Sequence, residues 1–266
     1  MGYKKNKDEI AGMESQLSAP FASGGRVLYL PFDTDENFIR EVLPPGLIPS
    51  GGHGSLTVGE WRGSNAGPYS AAFLMVSAKL ERDVAKRGAY CLSFFISSEP
   101  AALFGRPMMG EPKKLADINF SVQQRRVQAS VHRLGTELIS VRADLGEELP
   151  PRTTTSLAFW YKHQPACDGM GLQYDPQLLV QTNTQKTDKL QASAAQITLR
   201  SSVHDPVGDV PIHGVKPAYY SEGDITAVCD VVQTVDKDQF LPYAFSGYDD
   251  WNYLSRAGTL DEEHRR

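Results

Sequence analysis

The sequence predicts an α+β domain that is mainly β, in which antiparallel strands form a closed or nearly closed barrel around an apolar pocket, with a few short helices. Short runs rich in β-branched and aromatic residues, bounded by turn residues, recur along most of the chain. Helical periodicity is confined to short segments, and no repeat of fixed period is present. Because a closed barrel leaves no strand edge exposed, many strands in one domain favour closure.

The predicted boundaries divide the chain into three parts. Residues 1–25 form a polar N-terminal arm, residues 26–255 a single domain, and residues 256–266 a charged tail. The arm ends at Ser23-Gly24-Gly25, and the first strand is predicted over residues 26–32. The domain therefore begins at that strand.

A helix is predicted directly after the first strand. Asp33 and Thr34 are candidate caps, and Pro44-Pro45-Gly46 ends the helix. Its apolar residues recur at helical spacing, namely Phe38, Ile39, Val42 and Leu43. The Gly-rich segment Ser50-Gly51-Gly52-His53-Gly54 is interpreted as a turn.

The rest of the domain is predicted to be strands, one proline-containing loop and one short helix. A long surface loop is expected around Pro206, Pro211 and Pro217, and a short helix over residues 237–244. The predicted strands cover residues 55–62, 69–79, 88–97, 117–123, 126–134, 137–144, 154–163, 190–200 and 224–232.

Composition and charge exclude several classes of protein. The 266 residues include 27 basic and 32 acidic side chains, for a net charge of -5, and no basic stripe that nucleic acid would require is present. Apolar runs are far shorter than the roughly 20 residues of a membrane span. Three widely separated cysteines and a polar N-terminus fit a reducing compartment, so we expect a cytoplasmic protein without nucleic-acid or membrane partners.

Motifs for cofactors and metals are missing. The sequence has neither a dinucleotide-binding Gly-rich turn nor a phosphate loop, and no Gly-x-Ser-x-Gly nucleophile elbow. The six histidines show none of the local spacings typical of zinc ligands, which leaves open only a metal site assembled from distant residues. We therefore expect neither cofactor nor metal.

The segment 99–115 places two lysines, Lys113 and Lys114, in apolar surroundings. Its apolar residues are Leu103, Phe104, Met108, Met109 and Leu115. An apolar setting disfavours the charged ammonium form of lysine, and a neutral amine is a nucleophile. The alternative is an exposed turn, since adjacent lysines beside a proline are common on solvated surfaces.

Three short motifs in this segment resemble the acetoacetate decarboxylase family at the same mutual spacing: Glu99-Pro100, Gly105-Arg106 and Pro112-Lys113-Lys114. Weaker similarity extends to residues 43–47 and to Gly67-Pro68-Tyr69. The resemblance implies that Lys113 forms an iminium with a substrate carbonyl, that Lys114 is the neighbouring cation, and that the protein is a homo-oligomer without a cofactor. Since consecutive side chains of a strand point to opposite faces, we expect desolvation, rather than Lys114, to favour the neutral amine of Lys113.

The sequence departs from the family pattern at the acid/base positions. Members usually carry a glutamate two residues after the tyrosine of Gly-x-Tyr, where this chain has Ala71. This chain instead has Glu111 two residues before the reactive lysine. Glu111 is therefore the candidate acid/base group, with a salt bridge as its alternative role and Glu60 as a weaker alternative group.

Four further residues are candidates for binding the substrate. Arg106 can bind a carboxylate through its planar guanidinium, or else a structural partner. Tyr69 is expected to orient the substrate, or to be a core aromatic. Met108 is expected to contact the substrate from the apolar flank, and the resemblance implies that Arg26 does so from the first strand.

These residues predict a Schiff-base-forming lyase of the decarboxylase type, with an altered acid/base set, that acts on a keto acid or a related carbonyl compound. A protonated imine accepts the electron pair of a breaking C–C bond. An aldolase-dehydratase or cyclase is the alternative, because aldol addition starts from the same enamine. Ala71 also motivates a noncatalytic small-molecule-binding barrel.

Overall fold

The computed structural model describes residues 2–255, so the predicted charged tail of residues 256–266 lies outside the described residues. The main elements within these residues follow in the order α1 (Lys7–Leu17), β1 (Phe21–Asp33), α2 (Glu36–Val42), β2 (Leu47–Trp61), β3 (Gly63–Ser64), β4 (Tyr69–Leu80), β5 (Arg87–Ile96), α3 (Glu99–Met109), β6 (Lys113–Leu115), β7 (Asp117–Gln123), β8 (Arg126–Arg133), β9 (Thr136–Leu149), β10 (Thr153–Lys162), β11 (Gln177–Leu199), a 3₁₀ turn (Val207–Asp209), β12 (Gly214–Val215), β13 (Ala218–Thr234), α4 (Lys237–Phe240) and a second 3₁₀ turn (Leu241–Tyr243).

Seven strands close into a barrel. Their order is β10-β5-β4-β2-β1-β13-β11, and β11 pairs with β10 to complete the circle. All neighbouring pairs are antiparallel except β5 and β10, which run parallel and are joined at only two register pairs. The predicted fold class, a mainly β domain with a closed barrel and few short helices, is confirmed.

A second layer packs on the outside of this barrel. Strands β9, β8 and β7 extend the sheet from β11, and β7 contacts β4, β2 and β5. The core between the layers is formed by barrel residues such as Leu28, Leu56 and Leu74 and by Val131 and Ile139 of the outer strands. Because side chains alternate along a strand, the neighbouring residues of the barrel strands face its interior.

The first strand starts earlier than predicted. The first strand begins at Phe21 rather than at residue 26, because Gly24, with φ of 58°, allows a β-bulge between Ala22 and Gly25. The predicted polar arm contains α1, whose N-terminus is closed by a capping box of Asn6 and Glu9.

Two other local predictions were wrong. Residues 50–54 are an irregular part of β2 rather than a turn, since the register with β4 shifts between Pro49 and Gly54. The cap of α2 is Asp35, whose carboxylate accepts a hydrogen bond from the backbone N–H of Asn37. Asp33 remains in β1, where its carboxylate binds Lys216 and His53.

Helix α3 was not predicted, although it carries most of the segment that resembles the family. The proline-containing segment is also more than a surface loop, because Val207 and Val210 are buried in the core between the layers. The short helix predicted over residues 237–244 is confirmed by α4 and the 3₁₀ turn after it. None of the helices in residues 2–255 has the length and apolar character that crossing a membrane requires.

Barrel closure depends on the close approach of β5 to β10 at Gly88. A β-carbon there would overlap the carbonyl oxygen of Leu157 on β10, beside the two register pairs that join β5 to β10. We expect Gly88→Ala to lower the free energy of unfolding by about 1–3 kcal/mol, because backbone on both sides must shift. Urea unfolding measures this loss. Gly214→Ala is the matched control, since a β-carbon there meets open space; equal midpoints for the two variants would contradict the prediction.

Candidate active site

Helix α3 and the short strand β6 bring Lys113 to one end of the barrel. The helix ends at Gly110, which adopts the left-handed conformation with φ of 73°. A β-carbon at this position would overlap the backbone of Tyr161, so glycine allows the helix to end against β10. Strand β6 then pairs in parallel with β5, with Lys113 opposite Phe94.

The amine of Lys113 lies in a mostly apolar cavity of about 170 Å³. Its side chain is 9% exposed, and its Nζ contacts Oε2 of Glu111 at 2.7 Å. The Nζ also donates a hydrogen bond to the carbonyl oxygen of Ala101 at 3.1 Å and lies 4.9 Å from the centre of the Phe94 ring. The remaining wall is largely aromatic and aliphatic, with Ala22, Trp61, Tyr69, Ala71, Phe73, Met75, Phe104, Met109, Ala158, Trp160 and Ile225 among its residues.

The Lys113–Glu111 ion pair is buried on both sides. The side chain of Glu111 is 8% exposed, and apart from this pair its Oε2 has no hydrogen-bond partner among residues 2–255. Glycine at position 105 makes room for the pair, because a β-carbon there would overlap Oε2 of Glu111 and lie 2.5 Å from Nζ of Lys113. The space that this ion pair occupies therefore explains why the Gly105-Arg106 motif has a glycine at position 105.

The side chain of Lys114 points away from this cavity, as strand alternation predicted. Its Nζ lies 2.9 Å from Oδ1 of Asp205 and donates to the carbonyl oxygen of His204 at 2.8 Å. Arg133 binds Asp205 at 2.8 Å and Asp249 at 2.6 Å. Although burial opposes ionisation of Asp249, its hydrogen bonds with Arg133 hold its pKa below the ordinary value. Two cations and two carboxylates thus form a neutral cluster that contains Lys114.

The candidate Tyr69 also lines the cavity, as does Ala71, the position where the family usually carries a glutamate. Tyr69 stacks on Trp61 with ring centres 5.1 Å apart, and Ala71 lies on the same wall. Burial, with the negative charge of Glu111 adding to it, raises the pKa of Tyr69 well above its usual value. The phenol therefore stays protonated and can donate a hydrogen bond.

The remaining candidates are not brought to the cavity. Arg106 donates to the backbone carbonyl of Lys113 at 3.1 Å and lies over the ring of Tyr248. Arg26 of β1 pairs with Glu60 of β2 at 2.6 Å. The interior-facing residues of both strands alternate with these two, so the pair lies on the outer face of the barrel. Neither arginine is part of the cavity wall, and Glu60 is not either.

Met108 does not line the cavity either, and the neighbouring Met109 takes that position. The prediction had no helix in this segment, so it could not tell which methionine of the pair faces inward. Once α3 is known, helical spacing places Met109 on the buried face together with Ala102 and Gly105.

Sequence reasoning also missed a polar row inside the barrel. Trp160 donates to Oε1 of Gln181 at 2.7 Å, and Gln181 donates to Oδ1 of Asn183 at 2.7 Å. The two amides are two residues apart on β11 and therefore share one face. That spacing is visible in the sequence, but only the closed barrel shows that this face points inward.

The cysteines near the cavity are not competing nucleophiles. Burial, together with the charge of Glu111, raises the pKa of Cys229 to about 11. The same two causes raise the pKa of Cys91 further. Both thiols therefore remain protonated near neutral pH, and a protonated thiol is a poor nucleophile. The amine of Lys113 is the nucleophile that this cavity offers.

The charges of the cavity are confined to one pair. Within residues 2–255, Lys113 is the only cation in its wall and Glu111 the only carboxylate. The same residues hold no group of three or more His, Cys, Asp or Glu side chains arranged for a metal ion. The site can therefore supply an amine, a carboxyl group and a phenol from its own side chains.

The fold and site define a β-barrel protein with a buried lysine–carboxylate pair in an apolar cavity. Residues 9–238 match the family model of acetoacetate decarboxylase, so the chain belongs to the acetoacetate decarboxylase family. A search of curated proteins finds no significant match.

Solved structures share the fold at low sequence identity. Acetoacetate decarboxylase from Legionella pneumophila superposes with a TM-score of 0.72 at 17% identity, over 81% of this chain and 88% of that one. The enduracididine biosynthesis enzyme MppR, in complex with pyruvate, superposes with a TM-score of 0.67 at 14% identity, over 82% of this chain and 91% of that one. An acetoacetate decarboxylase-like enzyme from Sphingomonas wittichii RW1 superposes with a TM-score of 0.65 at 17% identity, over 81% of this chain and 93% of that one.

The cluster around Lys114 predicts a structural effect of its removal. We expect Lys114→Met to lower the free energy of unfolding by about 3–5 kcal/mol, because Asp205 is left buried without one of its cations. Lys189→Met is the control, since Lys189 forms an exposed pair with Glu222 and its loss should change stability by less than about 1 kcal/mol. Guanidinium unfolding compares the two, and similar losses would show that the buried cluster contributes little.

Proposed function

We propose that the protein is a Schiff-base-forming lyase of the decarboxylase type that acts on a keto acid or a related carbonyl compound. The observation that carries this proposal is the 2.7 Å pair of Lys113 and Glu111 inside an apolar cavity. Membership in the acetoacetate decarboxylase family supports lysine chemistry in general terms. The specific reaction rests on the geometry of the pair.

The pair can generate its own nucleophile. Transfer of one proton from the ammonium of Lys113 to the carboxylate of Glu111 removes two buried charges and leaves a neutral amine beside a carboxylic acid. The amine then attacks the substrate carbonyl carbon. Glu111 returns its proton to the carbinolamine oxygen, which leaves as water when the iminium forms. One carboxyl group thus serves both steps.

For a β-keto acid, the iminium next accepts the electron pair of the C–C bond to the carboxylate. Carbon dioxide leaves and an enamine remains on Lys113. Protonation of the enamine carbon regenerates an iminium, and water releases the ketone and the free amine. Glu111 is a carboxylate after the loss of water, so the proton for the enamine carbon is taken up from solvent and reaches it through Glu111 or the phenol of Tyr69, which both line the cavity.

The charge distribution of the cavity favours carbon dioxide release. Arg106 and Arg26 are both engaged elsewhere, so among residues 2–255 a substrate carboxylate finds no cation in the wall other than Lys113, which the imine uses. A carboxylate held without a partner in an apolar cavity is less stable than in water, and its loss as carbon dioxide relieves this destabilisation. Glu111 takes the acid/base role that Ala71 cannot supply.

An aldolase-dehydratase reaction is the second candidate. MppR, which has the same fold, has been solved with the condensation product of pyruvate and imidazole 4-carboxaldehyde. The same enamine of Lys113 can add to an aldehyde instead of taking a proton. The wide interior of the barrel beyond the Lys113 cavity provides room for a second carbonyl compound.

Reduction with borohydride tests the imine directly. In the presence of keto acids or aldehydes, we expect a covalent adduct on Lys113, located by peptide mass and fragmentation that separates Lys113 from Lys114. Lys113→Met should lose the adduct and all turnover, because no other amine lines the cavity within the described chain. Lys189→Met is the exposed control.

Released carbon dioxide separates a decarboxylase from an aldolase-dehydratase. A protein that forms no adduct with any carbonyl compound would be a noncatalytic binding barrel.

Replacing Glu111 tests the proposed proton transfers. We expect Glu111→Gln to slow imine formation at least about 100-fold, because the amide neither accepts the ammonium proton nor protonates the leaving oxygen. The rate of borohydride trapping under single-turnover conditions measures this effect, and thermal unfolding checks the fold. Glu60→Gln is the matched control, since Glu60 pairs with Arg26 outside the cavity. A larger loss in the control would move the acid/base role to Glu60.

A further inference from the structure

The interior of the barrel continues beyond the Lys113 cavity into a second compartment of about 360 Å³. Both spaces share six wall residues, which are Trp61, Phe73, Met75, Ala158, Asn183 and Ile225. The two spaces are therefore adjacent inside the barrel, with these side chains at their boundary. A molecule bound at Lys113 can extend past these residues into the second compartment.

The second compartment differs from the first in polarity. Strand alternation places hydroxyl and amide side chains from four strands on its wall, in contrast to the aromatic wall around Lys113. These side chains are Ser55, Thr57, Thr154, Ser156, Asn183, Gln185, Thr187 and Ser221.

Two of these hydroxyls belong to mostly buried residues and have no protein partner. Ser55 and Thr57 of β2 are 9% and 7% exposed; within residues 2–255 their hydroxyl groups make no hydrogen bond, and neither oxygen is completely buried. The N–H groups of the Asn183 side chain also have no partner in that range, because only its oxygen is used by Gln181. Because these groups line the compartment and have no protein partner, they are available to hydrogen-bond a polar molecule within it.

The interior is long enough for an elongated molecule. Along β11, Gln181 lines the Lys113 cavity and Thr187 lines the far part of the second compartment. Six residues of strand correspond to about 20 Å. The charged residues of the second compartment, Arg152 and Asp224, are both exposed, so its buried part is neutral.

We infer that the second compartment binds the distal end of an elongated carbonyl substrate, and that this end is neutral and carries hydroxyl or amide groups. The inference rests on the proposed function, because Lys113 holds the carbonyl end. The apolar middle of the substrate lies against Phe73 and Met75. Ser55 and Thr57, the cross-strand neighbours of Met75 and Phe73, hydrogen-bond the first polar groups beyond this middle, together with Asn183. The substrate is then larger than a simple short keto acid.

A pair of β-keto acids of equal chain length tests this inference, one with a hydrocarbon tail and one with hydroxyl groups at its distal end. The wild-type protein should prefer the hydroxylated compound by about tenfold in the rate of borohydride-trapped imine formation. Thr57→Val and Ser55→Ala, made separately, should each reduce this ratio several-fold. Thr155→Val is the matched control, because Thr155 of the same barrel lines neither space.

The alcohol obtained by reducing the hydroxylated ketone separates this inference from the proposed function, since it cannot form an imine. Calorimetry should show that Thr57→Val weakens its binding several-fold. A wild-type preference for the hydrocarbon tail, or an unchanged ratio in both variants, would overturn the inference while trapping of short keto acids upholds the lysine chemistry. Weakened alcohol binding without any imine trapping would retain the binding site and refute the proposed function.

Discussion

Strands β2 and β4 of the barrel are largely buried on both faces, and the construction of the site depends on that constraint. One face of β1, β2 and β4 packs against the outer strands through residues such as Leu28, Leu56 and Leu74. The alternate residues line the interior, where Ala71 and Phe73 form part of the Lys113 cavity. Adjacent residues of these strands therefore have different roles, because one packs in the core and the next lines the cavity.

The lysine pair is a consequence of this alternation. Lys113 and Lys114 are consecutive on β6, so one side chain enters the apolar cavity and the other enters the ion cluster with Asp205 and Arg133. The charge of Lys114 is balanced within that cluster. Desolvation and the carboxylate of Glu111 are therefore the forces that act on the amine of Lys113, and Lys114 holds β6 in place.

The strands and the reactive segment could be predicted because they depend on local patterns. Alternating β-branched and aromatic residues mark β7 at its observed bounds, Asp117–Gln123, and mark β4 and β10 to within one residue. Bulges could not be predicted, because Gly24 and Gly51 read as turn residues when their partners across the sheet are unknown. Helix α3 was hidden by Pro100 and Pro107, although Pro100 lies in its first turn, where no backbone N–H is needed.

By itself, the sequence determined the mainly β fold class, the family and the presence of a lysine in an apolar segment. Those properties follow from residue types and short spacings. Tertiary structure decided which residues share the site: it brings Glu111 to Lys113 and Tyr69 to the same cavity, while Arg26 and Arg106 bind other partners. The physical reason is that the face of a strand that becomes the interior is chosen only when the barrel closes and its outer layer packs.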